Sequence, residues 1–117
     1  MSVIVPNIWE CIKSFFKTVF NFVKKVIKGI LNFYHNVVEW FKGLKLRKGK
    51  DTPFIIDAKK LKNMINEAPV VDCGIFQGVF NEEKDTIEHM RQVEAEELDD
   101  ETKNVLSKGE QGLVVLN

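Results

Sequence analysis

The sequence predicts an α+β protein in which one long N-terminal amphipathic helix precedes a small β-α-β-β-α-β domain. Three observations lead there. Apolar residues recur at helical spacing from Ile8 to Leu44, the sign of the charge reverses near residue 50, and short β-prone runs bounded by Pro and Gly begin after Pro53.

The helix is expected over residues 6–44. Ile8, Ile12, Phe15, Phe16, Val19, Phe20, Val23, Val26, Ile27, Ile30, Leu31, Tyr34, Val37, Val38, Phe41 and Leu44 return every three or four positions. At about 100° per residue they share one arc, roughly 180° wide, with Trp9, Phe22, Phe33 and Trp40. The opposite arc carries Lys17, Asn21, Lys24, Lys25, Lys28, Asn32, His35, Asn36, Glu39 and Lys42. Pro6 suits a first helical turn, and Gly43 with the basic run after it suits a last one. Gly29 is the natural place for a turn, but the apolar phase continues across it. One continuous helix is therefore expected, with a helical hairpin at Gly29 as the alternative.

Charge sharpens the division. The 117 residues carry no net charge. Yet residues 1–50 hold ten Lys/Arg against Glu10 and Glu39, a net +8, while residues 51–117 hold seven against fifteen Asp/Glu, a net −8. Such asymmetry suggests a basic attachment element, 1–44, joined by a basic linker, 45–53, to a small acidic domain, 54–117. At 44% apolar and 29% charged, the composition argues for a folded chain.

After Pro53 the pattern changes. Residues 54–56 are a β-prone run, and Asp57 reads as the cap of a helix over 58–67 ended by Pro69. Residues 70–80 read as a strand in which Gly74 and Gly78 signal a bulge or a close neighbouring backbone. Residues 81–85 form a polar turn and 86–95 a returning strand. Asp99 caps a short helix over 98–106, and 112–116 is a final strand. Ile55, Leu61, Ile65, Val71, Ile75, Phe76, Val114 and Leu116 form the expected core. In topology alone this order is compatible with a ferredoxin-like split arrangement.

What would the apolar face of the helix touch? Three destinations compete: a membrane interface, copies of the same chain, and the protein's own second half. The contacting set for a membrane or partner is Trp9, Ile12, Phe15, Phe16, Val19, Phe20, Val23, Ile27, Ile30, Leu31, Tyr34, Val38, Trp40 and Phe41. Lys13, Lys17, Lys24, Lys28, Lys42, Lys45, Arg47 and Lys48 would reach lipid headgroups or other phosphates. A face this broad does not suit a two-stranded coiled coil, so a self-assembled form would be a bundle or layer. Nucleic acid is not an expected partner, because the phenylalanines would still need cover.

Catalytic, metal and cofactor chemistry find little footing. His89 stands alone beside Glu88, and His35 lies on the polar arc. The acidic run 94–101 lacks the spacing and glycine of a calcium loop. Gly74 and Gly78 lack the Lys-Ser/Thr of a phosphate loop. Cys11 and Cys73 have no ligand spacing, although a disulfide between them is open. Nothing approaches the ~18 apolar residues of a membrane span, and the start has no secretory pattern. The expectation is a cytoplasmic, membrane-associated, non-enzymatic protein. Its helix would display the acidic domain to a protein partner. One alternative is a self-assembling viral or cellular coat subunit. Another is a membrane-perturbing helix restrained by the acidic domain.

Overall fold

A computed structural model of the protein describes residues 7–18, 23–64, 72–109 and 112–116. It corrects the expected fold class. Among the described residues no long helix is present, and they form a mixed α/β domain around one five-stranded sheet. In the segment expected as a single helix, the described residues form four elements: α1 (Asn7–Thr18), β1 (Val23–Leu31), and a π-helical turn (Phe33–Val38) running into α2 (Glu39–Gly43). Then follow β2 (Asp51–Asp57), α3 (Ala58–Met64), β3 (Gly74–Asn81), β4 (Thr86–Leu98), α4 (Asp100–Ser107) and β5 (Leu113–Val115).

The helical reading fails at β1 for a definable reason. Steps of four residues fit both a helix and a strand, because four is also an even number. Val23 and Ile27 thus share one face in either structure, and beyond them Leu31 is fully enclosed in the cluster that Ile27 packs against. Only the three-residue steps discriminate. Val23 to Val26 crosses to the opposite face of a strand, and both Val26 and Ile30 lie exposed. Four β-branched residues in nine favour the extended form. Gly29 takes φ +113, outside the helical region, at a register shift between Ile27 and Ile30. Asn32 then stops the strand: its side chain accepts from the His35 N–H at 2.9 Å, while its own N–H donates to Asn36 Oδ1 at 2.7 Å.

The sheet order is β1-β4-β3-β2-β5. β1 runs parallel to β4, pairing Val23 with Arg91 and Leu31 with Leu98, and every other neighbour is antiparallel. This excludes the ferredoxin-like arrangement, since β2 pairs antiparallel with β3 and β5 rather than parallel with β4. It also places a strand of the basic half in the same sheet as the acidic half.

Helices cover both faces. Ile8 and Ile12 of α1, with Ala58 and Leu61 of α3, pack on Phe54, Ile56, Phe76 and Phe80. Val37, Phe41 and Leu106 pack on Ile55, Ile75, Val79, Val93 and Ala95. Burial on two sides explains why β3 is enclosed along its whole length instead of alternating. Of the expected core, Ile55, Leu61, Ile75 and Phe76 are fully buried and Val114 and Leu116 half-buried. Ile65 and Val71 lie outside the described residues.

Asp99 ties the two halves together. Its N–H donates to the Leu31 carbonyl at 3.0 Å, closing the end of β1. Its Oδ1 accepts from the N–H of Thr102 at 2.9 Å and from the Thr102 hydroxyl, capping α4. Its Oδ2 accepts from the N–H of Phe33 at 3.0 Å, at the head of the π-helical turn. Burial raises the carboxyl's proton affinity, but the hydrogen bonds from Thr102 and Phe33 outweigh it, so the folded pKa lies below the ordinary value. A depressed carboxylate stabilises the fold at pH values above the unfolded pKa, about 3.9. That stabilisation disappears as pH falls through the folded value. Asp99→Ala is expected to cost roughly 1–2 kcal/mol at neutral pH, the scale of a lost N-cap. Urea denaturation below pH 4 should show the variant and the parent converging. A constant gap at all pH values would refute this assignment.

Candidate partner-binding surface

β1 is an edge strand: among the described residues, β4 alone pairs with it. It is long for an edge, at nine residues. Its exposed apolar side chains are unusual. Val23, Val26 and Ile30 are 73%, 55% and 58% accessible, and Tyr34 just beyond them is 62% accessible. Lys24, Lys25 and Lys28 stand exposed among them. Alternate residues of a paired strand turn their N–H and C=O groups to opposite sides, so the outer edge also offers main-chain donors and acceptors. Glu94 on β4 meets Lys24 at 2.9 Å.

Behind this edge lies a buried polar network. The Gln77 side chain of β3 is fully enclosed. Its Nε2 donates to the Val37 carbonyl at 3.0 Å, and its Oε1 accepts from Arg91 Nε–H at 2.7 Å. Arg91 Nη2 donates to the Asn36 carbonyl at 2.6 Å, and its guanidinium lies 4.8 Å from the centre of the Trp40 ring. A π-helical turn is wider than an ordinary helical one. Gln77 and Arg91 each donate to one of its carbonyls, which fixes the turn against the sheet. Partial burial lowers the Arg91 pKa from its ordinary value.

A cleft of about 210 Å³ at the other end of β4 is lined by Leu44, Leu46, Arg47, Asp51, Asn81, Lys84, Glu88 and His89. Asp51 accepts from Arg47 Nε at 3.1 Å and Nη2 at 3.2 Å, and these side-chain bonds hold its carboxyl below the usual range. Glu88 accepts from Asn81 at 3.0 Å. The cleft lining offers no hydroxyl or thiol for His89 to activate. Cys11 and Cys73 are free thiols, both with raised pKa, chiefly from burial. Among the described residues, no group of three His, Cys, Asp or Glu side chains converges to hold a metal ion. No helix among them is long and apolar enough to cross a membrane.

Comparison with known proteins places none beside this chain. No family model, curated protein or solved structure matches it.

The residues read as one contacting face therefore divide. Ile12 is buried in the core with Phe15 packed against it, and Leu31 and Phe41 are buried in the opposite layer. Ile27, Val38 and Trp40 are half-buried, while Val23, Ile30 and Tyr34 remain exposed. Val19 and Phe20, and the side chains of Trp9, Phe16 and Lys17, lie outside the described residues. Among the cations, Lys24, Lys28, Lys42, Lys45 and Lys48 are exposed. Lys13 lies 3.9 Å from Glu10, and Arg47 is engaged by Asp51. Sequence reasoning missed Gln77 and Arg91. The available signal was a single amide inside the apolar run of β3, opposite an arginine on the returning strand.

Proposed function

We propose that the protein is a non-enzymatic docking module that adds an extended, acidic segment of a partner protein to its sheet along the free edge of β1. The observation that carries this reading is the edge itself, where Lys24, Lys25 and Lys28 stand exposed together with Val23, Val26 and Ile30. In strand addition, main-chain hydrogen bonds supply affinity and alternate side chains supply selectivity. The inner side of β1 already pairs with a glutamate-rich strand through the Lys24–Glu94 contact. A second acidic strand on the outer side would meet the same lysines, each opposed pair adding about 0.2–1 kcal/mol.

The same lysines count against self-assembly. Two copies of β1 laid edge to edge would gather three lysines from each along one seam, and lysine is a usual guard against such pairing. Attachment to an anionic membrane is the second reading, favoured by exposed Val23, Val26, Ile30 and Tyr34. Against it stand Glu94, Glu96 and Glu97 on the adjacent strand, which dilute the positive field that the sequence concentrates in one half.

A fluorescent nine-residue peptide of alternating valine and glutamate, matched to the length of β1, tests the proposal by anisotropy. Binding should weaken with added salt. Joint replacement of Lys24, Lys25 and Lys28 by glutamate should lower affinity at least about tenfold. A backbone N-methylated peptide should not bind. Equal binding of the methylated peptide, or tight binding to anionic vesicles with none to the peptide, overturns strand addition.

A further inference from the structure

An apolar groove of about 450 Å³ opens between α2 and the strand pair β2–β5, lined by Phe33, Val38, Phe41, Leu46, Pro53 and Leu116, with Lys42 as its one charged residue. Its lining includes no residue of β1, although Lys42 reaches over Tyr34 just beyond that strand. We propose that this groove binds the acyl chain of an anionic amphiphile whose carboxylate is received by Lys42.

Three observations select that occupant. The volume falls in the range of small-molecule sites, which are mostly apolar with a few placed polar groups. The lining is continuous with the core, since Phe41 belongs to it and Phe33, Leu46 and Leu116 pack against it. The ammonium of Lys42 lies 5.3 Å from the centre of the Tyr34 ring, which orients the side chain, and among the described residues no carboxylate forms an ion pair with it. An ammonium has three donors, so the ring contact leaves room for a carboxylate. A peptide suits the groove less well. Its backbone would need partners, yet Pro53 has no N–H and its carbonyl already accepts from Leu116 at 2.8 Å. A hydrocarbon chain asks for none.

Calorimetric titration of the full chain with dodecanoate, kept below its micelle concentration, tests the site against dodecanol and dodecyltrimethylammonium. One dodecanoate per chain is expected, bound at least about tenfold more tightly than either comparison ligand. Lys42→Ala should remove that preference and leave dodecanol binding unchanged; as an exposed residue, Lys42 can be replaced without touching the core. Val38→Trp, which fills the groove, should abolish binding of all three. Equal affinity for acid and alcohol in the parent protein, several molecules bound per chain, or retained binding in a folded Val38→Trp variant would each overturn the proposal.

Discussion

Gln77→Ala is expected to cost roughly 3–5 kcal/mol, on the scale of emptying a buried aromatic site. The amide holds the Val37 carbonyl and the Arg91 Nε–H at once, inside an enclosed layer. Its removal strands both, each at about 1–3 kcal/mol, and leaves a void. Against a total stability of about 5–15 kcal/mol, this is a large share. Gln77→Leu separates the two contributions: leucine refills much of the volume but bonds neither group. Urea denaturation should therefore place Gln77→Leu well below the parent protein, though above Gln77→Ala. A Leu variant within about 0.5 kcal/mol of the parent would show that packing, and not hydrogen bonding, is what the glutamine supplies. Val38 and Phe41 follow the anchored turn, so both variants should also weaken dodecanoate binding.

Gly78→Ala should destabilise the protein by about 2–3 kcal/mol, against the usual trend. In a strand interior, replacing Gly by Ala normally gains roughly 0.5–1 kcal/mol. Here a Cβ would lie 2.4 Å from Phe54 Cζ and 2.8 Å from Cε2. Phe54 is the cross-strand partner of Gly78, fully buried, with its ring laid over the glycine and packed among Ile8, Ile12 and Phe80. Such an aromatic covers a glycine that would otherwise leave a hole in the sheet. The ring has nowhere to go. In a double variant, Phe54→Leu should offset part of the damage, giving a coupling of about 1 kcal/mol or more between the two positions. Unchanged or increased stability in Gly78→Ala alone would mean the ring can move aside.

These two residues show what the sequence discloses and what it hides. Gly78 suggested a bulge or a close backbone, whereas what lies over it is the Phe54 ring of the neighbouring strand, which no local pattern names. Asp99 was legible as a helix cap because capping is local. Its second bond, to Phe33, spans 66 positions and was not. The β-prone runs at residues 54–56, 70–80 and 112–116 could be found by composition and by their Gly and Pro boundaries. The partners of those runs could not, which is why the sheet order differs from the arrangement their sequence order suggested. The misreading of residues 23–31 has the same root. Four-residue recurrence is shared by helix and strand, and the deciding influence was the open side of β4, a distant element. Charge separation along the chain likewise misled, since folding sets lysines of one half beside glutamates of the other.

The parallel ladder has a consequence for how the protein is made. Val23 finds its place beside Arg91, 68 positions later in the chain. Ribosomes extend chains at about 5–20 residues per second, so the nascent strand waits on the order of several seconds before its template emerges. Through that interval an apolar, β-branched segment stands without a sheet, a condition that invites clumping. Lys24, Lys25 and Lys28 give this segment like charges, which would oppose its pairing with other unfinished copies until β4 arrives.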